Sequence, residues 1–313
     1  MLGLGRHGIG FVAACAAVAL AGVLGAQPAS AQTATTQPAA DRLADDAFAP
    51  GDNLEIKNTT RAERGLLLGI KGTDDRVRVD SAFRPWSAIG RVNRTTGGFC
   101  TGVMIAPNKV LTAAHCLWNK RTERWMQPHS LHFLAGYQRG QALRGARVVD
   151  YAVHDGTVGE DGKRRMQLPA DWAVLTLDED IGRLVGVMEL APFDRLRLAS
   201  YRRSGSAFLH AGYSQDKSHV LTMHAGCQVT GFRLGESLAL HDCDATHGDS
   251  GSPILVKDGD RYRIVGLHVA TVVHEGEVRG VAISASSILA DMSELRGRED
   301  LAELRPVSDG ARR

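Results

Sequence analysis

The sequence predicts an all-β protein, a sandwich or barrel, and two observations carry that expectation. From Arg76 onward the 313-residue chain breaks into short runs rich in Val, Ile, Leu, Thr and aromatic residues, separated by turn residues. Helical patterning is scarce over the same stretch, and no repeat at solenoid spacing is present. An apolar content of 43% belongs to an ordinary soluble globular chain rather than a disordered one.

A first set of strands is expected at residues 86–92, 102–105, 109–112, 131–135, 146–153 and 173–177. A second set is expected at 207–213, 220–223, 228–232, 252–256, 262–269 and 280–283, followed by a short closing helix at 287–295. The charged tail from Arg296 to Arg313 reads as solvated. Ahead of the strands, residues 32 to about 53 are rich in Ala, Thr, Gln, Pro and Asp with little periodicity, and residues 60–68 could carry a short helix. Residues 32–75 therefore read as a linker or a removed propeptide. Composition up to about Arg84 promises little apolar burial, so that stretch is expected to be dispensable, in part or whole, for any chemistry.

The first 31 residues read as a secretory signal. Arg6 and His7 form a short basic start, residues 9–24 are apolar without a charge, and Ala29-Ser30-Ala31 is a small-residue cleavage pattern. A secreted or periplasmic protein follows, with no stable membrane association once the signal is gone. The formal net charge of +2 argues against a nucleic-acid or anionic-membrane partner. Of the five cysteines, Cys15 lies in the signal, leaving Cys100, Cys116, Cys227 and Cys243, which suits disulfides in an exported chain. Three pairings are possible. The twelve histidines fit no metal-ligand spacing, and neither Cys-x-x-Cys nor His-Glu-x-x-His occurs, so no metal and no cofactor are expected.

Three separated segments carry chemistry. Thr112-Ala113-Ala114-His115-Cys116 supplies an imidazole, and Asp171-Trp172-Ala173-Val174-Leu175 supplies a carboxylate at the mouth of an apolar strand. Gly248-Asp249-Ser250-Gly251-Ser252-Pro253 supplies a hydroxyl between two glycines. A nucleophilic triad needs these three groups: a hydroxyl, a base to take its proton, and a carboxylate to hold the base in one tautomer. Asp178 and Asp180 compete with Asp171 but lie beyond the strand in a more polar run. The order His, Asp, Ser differs from that of subtilisin-type and α/β-hydrolase triads, and Ser252 at the fifth position rules out the Gly-x-Ser-x-Gly elbow.

These segments, with Cys100-Thr101-Gly102 upstream and Val265-Gly266-Leu267-His268 downstream, resemble the chymotrypsin/trypsin-type serine peptidases. They resemble most closely the secreted bacterial branch that includes glutamyl endopeptidases, over roughly Lys71 to Met292. The resemblance implies two antiparallel six-stranded β-barrels with a short C-terminal helix, within a peptidase domain at 76–313. The first barrel would end near residue 195, and the site would lie between the two. It implies Ser250 as nucleophile, His115 as general base, Asp171 as its orienting carboxylate, and the N–H groups of Gly248 and Ser250 as the oxyanion hole. It also favours the local disulfides Cys100–Cys116 and Cys227–Cys243.

The implied function is a monomeric serine endopeptidase acting on proteins or peptides through an acyl-enzyme. A catalytically silent protease-like binding protein and an esterase using the same triad are the alternatives. Specificity is ambiguous. Asp244 matches a pocket-floor carboxylate that selects Lys or Arg, whereas His268 matches a histidine that helps bind an acidic side chain, so either charge remains open. Asp249 matches the partner of an amine released by activation cleavage, but the usual Ile-Val-Gly-Gly start is missing.

Overall fold

The computed structural model describes residues 69–165, 167–274 and 276–297. The signal, most of the linker, the expected helix at 60–68 and the end of the charged tail lie outside those residues.

Alternation or near-continuous apolar sequence sets the longer strands of the first half, such as Phe99–Ala106, Lys109–Thr112, Leu131–Ala135 and Ala173–Leu177. The strands are β1 (Val77–Arg78), β2 (Ile89–Arg94), β3 (Phe99–Ala106), β4 (Lys109–Thr112), β5 (Trp118–Asn119), β6 (Arg124–Trp125), β7 (Leu131–Ala135), β8 (Arg144–Val153) and β9 (Ala173–Leu177). Six of them close into an antiparallel barrel in the order β2-β3-β4-β9-β8-β7. In β7, Leu131, Phe133 and Ala135 point inward and are fully buried, the period-2 pattern of a one-sided strand. Residues 86–88, expected as strand, instead form a single 3-10 turn leading into β2.

The second half begins with two helices, α1 (Gly182–Val185) and α2 (Arg195–Ser204). Its strands are β10 (Phe208–Gly212), β11 (Thr222–Cys227), β12 (Val229–Arg233), β13 (Leu238–His241), β14 (Pro253–Asp258), β15 (Arg261–His274) and β16 (Glu277–Ser284), and α3 (Ala285–Gly297) closes the described chain. With β1 they make an eight-stranded sheet in the order β1-β11-β10-β14-β15-β16-β13-β12. The first half is thus a hydrogen-bonded ring, while the ladder of the second half ends at β1 and β12. One apolar core runs from the barrel (Ile89, Phe133, Leu175) into the sheet (Leu209, Leu240, Leu267), which fixes the two against each other.

Sequence reading missed α2 and β13. The helix buries only Leu198, so its apolar stripe is too thin to read as a period. Its caps were the available signal: the Asp194 side chain accepts the Arg197 N–H at 2.7 Å, and Gly205 ends the helix in the left-handed region. Strand β13, only four residues long, is legible mainly through its partners β12 and β16.

Both expected disulfides are present. Cys100 on β3 joins Cys116, and Cys227 at the end of β11 joins Cys243, each across 16 residues of sequence. Loops of that size are worth about 3 kcal/mol each in the chain-entropy account. The first tethers the turn that carries His115, and the second tethers the loop that leads to Ser250.

The N-terminal segment differs from its reading as linker. Residues 69–81, here called the strap, are built into the second half. Val77 and Arg78 pair with Met223 and Thr222 of β11, and the Val79 N–H donates to the Leu221 carbonyl. Arg76 and Ser81 are buried. The segment is held by polar groups, which composition alone reads as solvent-loving.

Candidate active site

His115 sits in a 3-10 turn, Ala114–Leu117, that leaves β4. Asp171 ends another such turn, Leu168–Ala170, just before β9. Because β4 and β9 are paired, with Thr112 opposite Ala173, the two turns emerge side by side. The Asp171 carboxylate is used twice on the histidine: Oδ1 accepts the His115 backbone N–H at 2.8 Å and Oδ2 lies 2.7 Å from Nδ1. A carboxylate has no proton to give, so Nδ1 carries the hydrogen, and the neutral ring in this orientation keeps its lone pair on Nε2. The Asp171 side chain is 3% exposed and the His115 ring 23%, so the carboxylate is held dry behind an imidazole that faces outward. Arg164 adds a cation 3.5 Å from Oδ2. Asp178 pairs with Arg147, and Asp180 with Arg183, so the competing carboxylates are engaged elsewhere.

Ser250 lies in the loop between β13 and β14, flanked by Gly248 at φ +97° and Gly251 at φ +85°. Glycine is required at both. A Cβ on Gly248 would stand 2.5 Å from the Tyr213 carbonyl oxygen, and one on Gly251 2.3 Å from that of Thr101. The loop is docked onto the barrel: the Thr101 N–H donates to the Ser250 carbonyl at 3.0 Å, and the Thr101 hydroxyl to the Gly248 carbonyl at 2.9 Å. That docking sets Gly251 against Ala113, two residues before His115.

Two peptide planes in this loop have a defined sense. The His247 carbonyl accepts the Gln215 N–H at 2.6 Å, and the Asp249 carbonyl accepts both the Ser252 N–H at 2.9 Å and the Ser252 hydroxyl at 2.5 Å. In a trans peptide the N–H points opposite the carbonyl, so the N–H groups of Gly248 and Ser250 are turned away from these bonds. Among the described residues neither donates to a protein acceptor. Asp249 is buried, its Oδ2 accepting from the Ser214 hydroxyl at 2.6 Å and the Thr246 N–H at 2.7 Å, while Oδ1 has no partner. Burial pushes its carboxyl up to about 6.

The two specificity candidates are not equivalent. Asp244 is fully buried, its Oδ1 accepting the Lys71 N–H at 2.8 Å and its Oδ2 the Asp75 N–H at 3.1 Å, both from the strap. His268, on β15, is bonded to the nucleophile loop through its backbone: its carbonyl accepts the Gly251 N–H and its N–H donates to the Ser252 carbonyl. The Lys71 ammonium donates to the carbonyls of Cys243 and Gly69, and burial lowers its pKa to about 8, leaving it largely charged at neutral pH.

Sequence reading missed that His268 has company. His210 on β10 and His241 on β13 meet it edge-on, with ring centroids 5.1 Å apart for His241 and His268 and 5.5 Å for His210 and His268. His241 Nε2 lies 3.0 Å from His268 Nδ1, and His210 Nε2 is bonded to the Ser252 hydroxyl. Three strands far apart in sequence bring these rings together, so no local motif announces them.

Burial holds all three imidazoles below their ordinary pKa; His268 is lowered to about 3, with Lys71 and then His115 adding to the effect. The unfolded chain therefore binds protons below about pH 6.5 that the folded chain refuses. Their stabilisation is present above that pH and is lost as pH falls toward the folded-state values, by at most about 1.4 kcal/mol per pH unit for each ring. Denaturation midpoints are expected to fall between pH 7 and pH 4.5, and the fall should shrink in His241→Gln. An equal fall in that variant would show that the histidines do not set acid sensitivity.

A family model described as Trypsin matches residues 75–290. The glutamyl endopeptidase of Bacillus licheniformis is 27% identical over 237 residues, covering 73% of this chain and 67% of that relative. The tissue-type plasminogen activator of Sus scrofa is 24% identical over 220 residues, where the match takes in 60% of this chain but only 38% of that protein. Among solved structures, a Glu endopeptidase in complex with MPD superposes with a TM-score of 0.58 at 25% identity, over 73% of this chain and 99% of its own.

Proposed function

The chain belongs to the trypsin family and is a serine endopeptidase, and we propose that it is exported and cleaves after acidic residues with Ser250, His115 and Asp171 as its triad. In the proposed reaction His115 Nε2 takes the proton of the Ser250 hydroxyl as Oγ attacks the scissile carbonyl carbon. Asp171 holds the Nδ1–H and stabilises the imidazolium that forms. The N–H groups of Gly248 and Ser250 receive the oxyanion, each such donor being worth about 3 kcal/mol in the transition state. The imidazolium then protonates the leaving amine, and water, activated by the same ring, releases the acyl group and restores Ser250. The dry carboxylate, the Nδ1–H tautomer and the two outward-turned N–H groups support this assignment.

Substrate backbone has a place to lie. Strand β14 pairs with β15 only as far as Pro253 opposite Leu267, so beyond His268 the β15 edge on that side has no strand partner among the described residues. A substrate added there as an extended strand would gain main-chain hydrogen bonds without side-chain selection.

The observation that carries the acidic preference is the state of Asp244. With no exposure and both carboxylate oxygens held by strap N–H groups, it offers nothing to a Lys or Arg side chain. Its charge is answered by Lys71, which also feels Arg279, Asp242 and Asp249 and acts in turn on His268. A neutral His268 would serve an acidic substrate as a donor rather than as a charge. The glutamyl relatives point the same way. Export rests on the 1–31 leader pattern and the two disulfides. Cleavage of a mixed peptide library is expected after Glu or Asp, and a preference for Lys, Arg or large apolar residues would overturn the specificity assignment.

A further inference from the structure

The loop that follows β10 meets the nucleophile loop through three consecutive residues. The Ser214 hydroxyl donates to Asp249, the Gln215 N–H donates to the His247 carbonyl, and the Asp216 carboxylate accepts the Thr246 hydroxyl at 2.9 Å. The middle bond is the one that turns the Gly248 N–H outward. Its geometry depends on where residues 214–216 are held, and they are held from the strap.

Arg76 is 6% exposed and grips two carboxylates with its planar fork. Nε and Nη2 donate to Asp74 at 2.9 Å each, while Nη1 and Nη2 donate to Asp216 at 3.1 and 2.6 Å. Lys217 closes the group by donating to Asp74 at 2.7 Å. A fork bound to two carboxylates fixes direction as well as distance, which a flexible ammonium would not.

We propose that Arg76 is a positioning residue for catalysis: through Asp216 and Thr246 it locks the loop that aims the Gly248 N–H at the oxyanion. The chain would then carry its activating cation internally, on the strap, with no cleavage needed to create one. The buried Asp249 fits this arrangement, since its partners in the fold are a hydroxyl and a backbone N–H rather than an amine. Arg76 is also the first charged group acting on Asp249 after its two hydrogen bonds.

The proposal rests on the peptidase reading and is tested in the full chain with an acidic peptide substrate and a peptide aldehyde that mimics the oxyanion. Thr246→Val cuts the link to Asp216 while leaving the Arg76 pair intact. It is expected to lower kcat about tenfold and weaken aldehyde binding in proportion, with KM within about twofold, because only the transition state uses the Gly248 donor. Thr246→Ser, which keeps the hydroxyl, should restore the parent values, and Arg76→Lys should lower kcat in the same pattern. A parent that cleaves no member of a mixed peptide library overturns the peptidase reading and this proposal with it. One that cleaves only library peptides of another class overturns the acidic preference alone, and the variants are then read on the peptide it cleaves. A parent that hydrolyses while Thr246→Val and Arg76→Lys match it in kcat and aldehyde affinity overturns this proposal alone.

Discussion

Replacing Ser250 by Ala is expected to abolish hydrolysis and leave the fold unchanged. The side chain is half-buried, and the loop is held by backbone bonds from Thr101, His268 and Ser252 that alanine preserves. Only the hydroxyl that forms the acyl-enzyme is lost. The rate should fall by about six orders of magnitude, the scale seen when a triad nucleophile is removed. His115→Ala should be about as severe, because triad members act as a unit. Asp171→Asn should cost about 10⁴ in kcat, since an amide facing Nδ1 favours the wrong tautomer. Circular dichroism and a fluorophosphonate label followed by peptide mapping check both halves of the claim. Residual hydrolysis within tenfold of the parent, or a label away from Ser250, would sink the triad and revive the silent-binder or esterase alternatives.

Removing the strap should be the most damaging change outside the triad. A chain beginning at Gly69 is expected to behave as the parent, whereas one beginning at Val79 should not fold stably. That truncation strips the N–H donors of Lys71 and Asp75 from fully buried Asp244 and takes the Arg76 guanidinium from Asp216. Each buried Asp244 acceptor left unsatisfied costs about 1–3 kcal/mol, more because the group is charged, while Asp216, which is not buried, adds less. Against a total stability on the order of 5–15 kcal/mol for a domain, that is a large fraction. Any maturation cut must therefore fall before Gly69. Thermal melting of the two truncated chains decides the matter: equal melting temperatures would mean the strap is ornamental after all.

The proposed catalytic residues stood out because such chemistry would restrict residue type. Only histidine titrates near neutrality, only glycine tolerates the left-handed backbone beside Ser250, and Asp171 had to stand where an apolar strand begins. The ranges read for β4, β7 and β9 match the strands for a similar reason, since burial on the barrel interior enforces an apolar pattern. The strap was misread because its anchors are charged: Lys71, Asp74 and Arg76 look like surface until Asp244 and Asp216 are placed opposite them. Asp244 was ambiguous for the matching reason. A sequence position cannot say whether a carboxylate's oxygens face a substrate or have already been taken by backbone more than 160 residues away.

The division of the site between barrel and sheet also orders events in time. His115 and Asp171 belong to the barrel, while Ser250 is carried on the loop after β13, which Thr101 of the barrel binds across the divide. During synthesis the base and its carboxylate can be in place long before any nucleophile emerges. With Ser250 as the nucleophile, a nascent chain that has not yet reached it is expected to be harmless to the proteins around it. On the proposed triad, the capacity to cut is therefore expected only once the second half has docked on the barrel, and export ahead of that docking would keep the finished site out of the cell.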